Sequence, residues 1–333
     1  NNTETHGVKA IFAGDSVYGS SESGFAPLTV NKRSPSVTVV CAPDWVYINQ
    51  ETTCTVTVDD STGMPGSTIP TGTVTFDNGT GKNGIFTPAD SGSLVHGILN
   101  MTYTPAAGDA GTSTADTTIG ASYGGSSVYT VKTSSAALEV RVRPTETTVS
   151  WEDSQGGNAA LYVYETGKIT ITVTDIGPAD SASPPEGTVT LSGPAYSSPV
   201  DVTLTPISAN ESRATHPFRM TSLSEAQAFI GVTATYTPKD NPQTHGGSDG
   251  STDVSVQKRT TETVVVCEDK VDGNCTVTVT DTADRGDPRK PGGDVLDQED
   301  GSNFCSLATG AGTSNTCTHQ VIGDAMMQPF AVG

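Results

Sequence analysis

The chain has 333 residues and is strongly acidic, with 37 Asp and Glu against 17 Lys and Arg and a formal net charge of -20 at pH 7. This charge repels nucleic-acid phosphates and anionic lipid surfaces, so it argues against partners of either kind. No stretch of the sequence approaches 18 apolar residues, so no membrane-spanning helix and no membrane insertion are predicted.

The composition is typical of an all-β, turn-rich protein. Glycine and proline are abundant, with 36 and 20 copies, and hydrophobic residues make up 34% of the sequence. A chain of this length forms two domains of average size or three small ones.

The first 33 residues predict two strands, an aromatic one at Ala10-Ile11-Phe12 and a second at Leu28-Thr29-Val30. Similar pairs of strands occur twice more along the chain. They are Ala121-Ser122-Tyr123 with Leu138-Glu139-Val140, and Ala234-Thr235-Tyr236 with Val254-Ser255-Val256. Each pair precedes a basic junction, so the first 33 residues correspond to the end of a repeated module.

A strand that alternates apolar residues with threonine is repeated three times, and the copies begin at Cys54, Ile169 and Cys275. The period of two predicts a half-buried strand. A carboxylate follows each copy, at Asp60, Asp175 and Asp281. A further strand then begins at Gly72, Gly187 and Gly293, which is 18 residues after the first strand residue every time (72-54, 187-169, 293-275).

The length of the repeat follows from three junction arginines, Arg33, Arg143 and Arg259. Their separations are 110 (143-33) and 116 (259-143) residues, the size of one β-sandwich. We therefore predict the last two strands of a module in 1–33, complete modules in 34–143 and 144–259, and a module without its last two strands in 260–333.

The repeated motifs resemble those of the bacterial immunoglobulin-like repeat family, which occurs in tandem on surface and secreted proteins. The resemblance covers nearly the whole chain. It rests on the opening strands that end at Cys41 and begin at Cys54, on Pro70-Thr71-Gly72-Thr73-Val74-Thr75-Phe76, on Tyr103-Thr104-Pro105 and on Ala13-Gly14-Asp15-Ser16-Val17-Tyr18-Gly19-Ser20. It implies tandem immunoglobulin-like β-sandwiches that serve as spacers, adhesive modules or structural modules.

Six cysteines show local spacing, because consecutive pairs are 13 (54-41), 8 (275-267) and 12 (317-305) residues apart. This spacing favours disulfides and an extracellular compartment, and the alternative is buried free thiols in a cytosolic protein. Trp151 and Ile169 stand where the flanking modules have cysteine. The predicted disulfide residues are Cys41, Cys54, Cys267, Cys275, Cys305 and Cys317.

The two ends of the chain are predicted to be complementary parts of one sandwich. Two arrangements remain open: residues 1–33 of the next copy complete 260–333 by donor-strand exchange, or the chain is one window of a longer continuous array. Both place the chain in a filament, since a head-to-tail contact that does not close on itself propagates.

Two motifs resemble functional sites, and each also has a structural interpretation. Gly14-Asp15-Ser16 resembles the start of a serine-hydrolase motif, and Gly79-Thr80-Gly81-Lys82-Asn83 resembles a phosphate loop; we interpret both as turns. No catalytic residue, cofactor or metal ligand is predicted. The five histidines are expected at the surface: His6, His96, His216, His245 and His319.

Charged residues at the modules' ends allow two further predictions. The acidic residues Asp281, Asp284, Asp287, Asp297, Glu299 and Asp300 could hold calcium, although a solvated acidic loop is the favoured interpretation. The junction cations are expected to pair with acidic loops of the adjoining module, with a cleavage site at a basic pair as the alternative. These cations are Lys32, Arg33, Arg141, Arg143, Lys258 and Arg259.

The sequence therefore predicts a non-enzymatic extracellular structural protein, a protomer or segment of a filament or surface stalk whose partners are identical copies joined head to tail. One alternative is an adhesin or carbohydrate-binding repeat region with a cell-surface or glycan ligand, which an exposed aromatic platform would favour. Another is a spacer segment of a secreted enzyme.

Overall fold

The computed structural model describes residues 3–63, 65–110, 116–239, 243–269, 272–296, 298, 301–308 and 310–320. These residues form strands joined by turns, with one turn of 3-10 helix at Ala179–Ser181. Backbone contacts divide the chain into two compact units. The first contains residues 1–145, 175–185 and 238–246, and the second contains 146–174, 186–237 and 247–333.

Residues 3–31 form a hairpin. Its strands are β1 (Thr3–Val8), β2 (Ile11–Phe12), β3 (Ser21–Glu22) and β4 (Ala26–Asn31). The pairs β1–β4 and β2–β3 are antiparallel. We call residues 3–31 the N-terminal hairpin.

Residues 35–141 form a sandwich of two sheets. The strands are β5 (Pro35–Ala42), β6 (Trp45–Tyr47), β7 (Thr52–Asp60), β8 (Thr73–Asp77), β9 (Ile85–Thr87), β10 (Ser91–Ser93), β11 (Ile98–Thr104), β12 (Asp116–Tyr123) and β13 (Lys132–Arg141). One sheet has the order β5-β7-β11-β9 and the other has the order β10-β8-β12-β13-β6. This is the immunoglobulin arrangement, with strands A, B, E and D in one sheet and C, F and G in the other.

Residues 145–257 repeat the same topology. The strands are β14 (Thr145–Glu152), β15 (Leu161–Tyr162), β16 (Gly167–Asp175), β17 (Gly187–Ser192), β18 (Val200–Thr203), β19 (Thr205–Pro206), β20 (Glu211–Phe218), β21 (Gln227–Pro238) and β22 (Ser248–Gln257). The sheet orders are β14-β16-β20-β19 and β15-β22-β21-β17-β18.

Residues 261–320 form smaller sheets. The strands are β23 (Thr261–Cys267), β24 (Asn274–Asp281), β25 (Arg289–Lys290), β26 (Gly293–Leu296), β27 (Asn303–Leu307), β28 (Gly310–Ala311) and β29 (Ser314–Gln320). The sheet β23-β24-β29 matches strands A, B and E, and β26 pairs with β27 as a hairpin. We call residues 261–320 the C-terminal half-sandwich.

The fold is therefore all-β, in tandem immunoglobulin-like sandwiches. Alternation of apolar residues with threonine explains the buried layers, since Cys54, Val56 and Val58 in β7 are fully buried while the threonines between them are not. In β16 the buried apolar side chains are those of Ile169, Ile171 and Val173.

Candidate assembly interface

The N-terminal hairpin exposes apolar side chains whose counterparts in residues 35–141 are buried. Val8 and Phe12 are 51% and 48% exposed, and Leu28 and Val30 are 50% and 48% exposed. The residues at the same positions of β12 and β13 are at most 3% exposed: Ile119, Tyr123, Leu138 and Val140. The hairpin thus presents one face of a sandwich core to solvent.

The register supports this equivalence. His6 lies directly opposite Leu28, Thr117 lies opposite Leu138, and Ile230 lies opposite Val254. Directly opposed residues share one face of a sheet, so the three pairs occupy the same place in three F–G hairpins.

The turns of these hairpins also match. Gly14 has a φ of 84° and Gly125 has a φ of 78°, a region in which glycine is favoured. Asp15 accepts N–H bonds from Val17 and Tyr18, each at 2.7 Å, and Ser126 accepts two N–H bonds at 3.1 Å in the second hairpin. Bonds from the Tyr18 and Val17 backbone lower the pKa of the Asp15 carboxyl. Gly14-Asp15-Ser16 is therefore a hairpin turn.

The C-terminal half-sandwich also exposes apolar residues whose counterparts in residues 35–141 are buried. In β23 every residue is exposed, and Val265 is 54% exposed where its counterpart Val39 is 8% exposed. The buried apolar cluster of this half-sandwich is small, consisting of Val277, Val279 and Leu307 with partly buried neighbours. Within the described residues, the apolar side chains of β23 therefore lack a covering layer.

All six cysteines form disulfides. Cys41–Cys54 joins β5 to β7, and Cys267–Cys275 joins β23 to β24 at the same place in the repeat. Cys305–Cys317 ties β27 to β29. In residues 145–257, which contain no cysteine, Ile169 is fully buried and Trp151 packs against the core.

The junction arginines share one geometry. The Nε atoms of Arg33, Arg143 and Arg259 lie 2.6, 2.5 and 2.6 Å from a carboxylate oxygen of Asp60, Asp175 and Asp281 respectively. For these three cations the prediction of pairing with acidic loops is confirmed, and the recurrent carboxylate after the threonine-rich strand is the partner.

The environment of these carboxylates stabilises their charge. The Thr62 hydroxyl, together with Arg33, lowers the pKa of Asp60 to about 2. Burial opposes ionisation of Asp175 and Asp281, but bonds from Arg143 and Arg259 and from backbone N–H groups hold the pKa of both carboxyls below its usual range.

The same prediction is wrong for the other three junction cations. Arg141 binds Glu139 with two bonds of 2.7 and 3.0 Å, because residues i and i+2 share one face of strand β13. Lys32 and Lys258 donate to the backbone carbonyls of Ser126 and Ser224.

The acidic loop at 281–287 contacts arginines. Asp287 pairs with Arg219 at 2.6 Å, and Asp284 lies 3.7 Å from Arg285. Asp297, Glu299 and Asp300 lie outside the described residues. Across the described ranges, no three His, Cys, Asp or Glu side chains are grouped as a metal site requires.

Sequence reasoning missed Arg285. Within the second compact unit its Nη1 lies 2.9 Å from Asp153 and 3.4 Å from Glu165, two nearly buried carboxylates. Its Nη2 donates to the Ala160 carbonyl at 2.9 Å. The sequence feature that could have indicated these contacts is a single arginine within the acidic loop at 281–287.

The expectation of surface histidines is wrong for His245. Its ring is buried beside Asp175, with Nε2 3.5 Å from the carboxylate and 3.1 Å from the Ser183 carbonyl. Burial lowers the pKa of His245, although the Asp175 charge opposes this shift. His245 forms a β-bridge with Arg143, and this backbone contact places the His245 ring in the protein interior. His6 and His96 are exposed.

The other motifs have structural roles. In the Gly79–Asn83 loop, the Lys82 ammonium donates to the Asp109 carbonyl at 2.8 Å and the Asn83 N–H donates to the Asp109 carboxylate at 2.7 Å. This is a surface turn anchored on a buried aspartate. Trp45 is 40% exposed, with the Arg141 guanidinium 4.3 Å from its ring centroid.

The part of the chain that the structure describes has no helix with the length and hydrophobicity that a membrane crossing requires.

No family model and no curated protein matches the chain. Similar solved structures include the Escherichia coli adhesin FdeC, with a TM-score of 0.27 and 13% identity over 86% of this chain and 88% of that one. An ectodomain fragment of ICAM-5 has a TM-score of 0.35 and 14% identity, covering 96% and 75%. A segment of titin has a TM-score of 0.31 and 12% identity, covering 86% and 88%.

Proposed function

We propose that the chain is a non-enzymatic building block of an extracellular fibre or surface stalk, in which the N-terminal hairpin of one copy completes the C-terminal half-sandwich of the next. The observation that carries the proposal is the exposure of Val8, Phe12, Leu28 and Val30, whose counterparts in residues 35–141 are core residues. Exposed apolar sheet faces of this kind mark interaction surfaces.

The chain itself supplies the complementary partner. The hairpin corresponds to strands F and G, and the C-terminal half-sandwich contains the equivalents of A, B and E with one further hairpin. In residues 35–141, β12 pairs with β8 so that Tyr123 lies opposite Val74. By the same register, Phe12 of one copy lies opposite Val295 of the next.

The proposed domain organisation follows from this contact. Residues 34–143 and 144–259 are complete modules, and 260–333 with 1–33 of another copy form a third. Each junction between two such copies is heterologous and therefore propagates. Three disulfides support an extracellular location, and the repeated motifs favour membership of the bacterial immunoglobulin-like repeats.

The experiment replaces one core-facing residue of the hairpin. Val30→Asp introduces a carboxylate where the completed sandwich buries an apolar side chain, and Thr29→Asp introduces it on the opposite face of the same strand. We expect light scattering with size-exclusion chromatography to show multiples of 34.2 kDa for the unmodified chain and T29D, and a monomer for V30D.

Folding of V30D is checked by circular dichroism, and little change is expected because Val30 is already exposed in the free chain. A monomeric unmodified chain at all concentrations, or polymers of V30D as stable as those of T29D, contradicts the proposal. The first result would favour a longer continuous polypeptide in which the preceding segment covers the hairpin.

A further inference from the structure

We propose that mild acid dissociates this assembly, because each joint between copies buries two histidines, His6 from the hairpin and His319 from the half-sandwich. The inference rests on the proposed function and adds a regulatory property to the same contact. It follows from where the repeat places these two side chains.

His6 lies on the core-facing side of the hairpin. It is directly opposite Leu28, and its counterparts are Thr117, which is fully buried, and Ile230, which is 9% exposed. In the free hairpin the imidazole is exposed, with Nε2 3.6 Å from the Glu4 carboxylate. Assembly in the register of β12 therefore moves this ring from water into a sandwich core, at the position where Thr117 donates to the Asp109 carbonyl.

His319 faces the same core from the other copy. It lies opposite Cys275 in the β24–β29 pair, as Met101 lies opposite Cys54 in the β7–β11 pair. Met101 is 4% exposed in its complete sandwich, whereas His319 is half-buried, with its ring centroid 4.4 Å from that of Phe304. Completion of the half-sandwich would cover the remaining surface of the ring.

The groups around the two histidines offer little compensation for a positive charge. Strand β4, which pairs with β1 beside His6, has no ionisable side chain in Ala26–Asn31, and the charged neighbour is Glu4. Beside His319, β24 presents the disulfide-bonded Cys275 and then Val277, and β27 presents Phe304 and Cys305. The carboxylate of Glu268, which follows β23, accepts the Asn274 N–H.

A neutral imidazole can be buried, but an imidazolium in an apolar layer loses its hydration without gaining a strong partner. Assembly then requires both rings to be neutral, and acid favours the dissociated state. This linkage weakens association at pH 5.5 relative to pH 7.5, by about tenfold per buried ring. Protonation of carboxylates acts in the opposite direction, since it reduces repulsion between acidic copies.

The test measures the dissociation constant of the full chain by sedimentation equilibrium at pH 7.5 and 5.5. The variants are His6→Thr and His319→Met, which restore the residues found at positions 117 and 101, and their combination. The control is His96→Asn, because His96 is exposed and has a positive φ of 52°, which asparagine tolerates. We expect dissociation constants about a hundredfold higher at pH 5.5 for the unmodified chain and H96N, about tenfold for each single variant, and little change for the double variant.

His6→Thr lies in the exposed hairpin, so its result does not depend on the folding of the half-sandwich. Polymers whose dissociation constant is unchanged or lower at pH 5.5 overturn this inference and leave the proposed assembly in place. Full acid sensitivity in H6T and in the double variant overturns it as well. A chain that is monomeric at both pH values overturns the inference together with the proposed function.

Discussion

Three arginine–aspartate pairs recur at the same place in the repeat, and Arg143 with Asp175 is the most buried of them. Both side chains are inaccessible to solvent. Arg143 also donates to the Ile48 and Pro178 carbonyls and to the Ser181 hydroxyl, so its guanidinium is well satisfied. A buried ion pair of this kind is costly to break, because the remaining buried charge loses its oppositely charged partner.

Arg143→Leu is therefore expected to lower the free energy of unfolding by about 3–5 kcal/mol, measured by urea denaturation with circular dichroism. The matched control is Arg141→Leu, two residues earlier, where the arginine is exposed and its loss should change the midpoint little. The double variant Arg143→Leu/Asp175→Leu should recover part of the loss. An R143L midpoint equal to that of R141L would mean that the buried pair makes no net contribution.

At the residue scale, the sequence predicted that the junction arginines pair with acidic loops of the adjoining module, and the structure identified the recurrent aspartates as their partners. It did not predict the burial of His245 or the contacts of Arg285. The counterpart of His245 is Tyr129, which forms the same bridge with Arg33 and whose hydroxyl lies 3.3 Å from Asp60, but the two residue types differ. The partners of His245 and Arg285 are 70 (245-175) and 132 (285-153) residues away in sequence, so neither contact is visible as a local motif.

Among the elements, strands A and B are joined by a disulfide in two copies and by packing in the third. Cys41–Cys54 links β5 to β7, and Cys267–Cys275 links β23 to β24, whereas Trp151 and Ile169 occupy these positions in β14 and β16. The disulfide lowers the conformational entropy of the unfolded chain, whereas packing of Trp151 and Ile169 stabilises the folded state.

Replacing Cys41 and Cys54 by alanine should lower the stability of residues 35–141 by about 2–3 kcal/mol, given the short loop that the bridge closes. The two tryptophans allow each sandwich to be observed separately. In a Trp151→Phe background, Trp45 reports unfolding of the first sandwich, and in a Trp45→Phe background, Trp151 reports the second. Reductant should shift the Trp45 transition and leave the Trp151 transition unchanged; equal shifts in both would contradict the local role of the disulfide.

For the whole molecule, charge opposes assembly. Each chain carries a formal net charge of -20, so two approaching copies repel each other over the screening distance of the solution. This distance falls from about 30 Å at 10 mM salt to about 8 Å at 150 mM.

We therefore expect filament growth, followed by light scattering at pH 7.5, to become several-fold faster between 10 and 150 mM NaCl. Sucrose at matched osmolality serves as the control and should not reproduce the effect. Slower growth with added salt would indicate that oppositely charged surfaces direct the encounter, contrary to an apolar joint between acidic chains.

The sequence by itself determined the strands, the repeat length and the fold class. The alternation of apolar residues with threonine is a local property of the chain, and three copies in one register make the pattern unambiguous. Only the tertiary structure decided which apolar faces are covered. Val8 and Ile119, or Val265 and Val39, have similar side chains in similar strands, and they differ in exposure because burial depends on what the rest of the chain places against them.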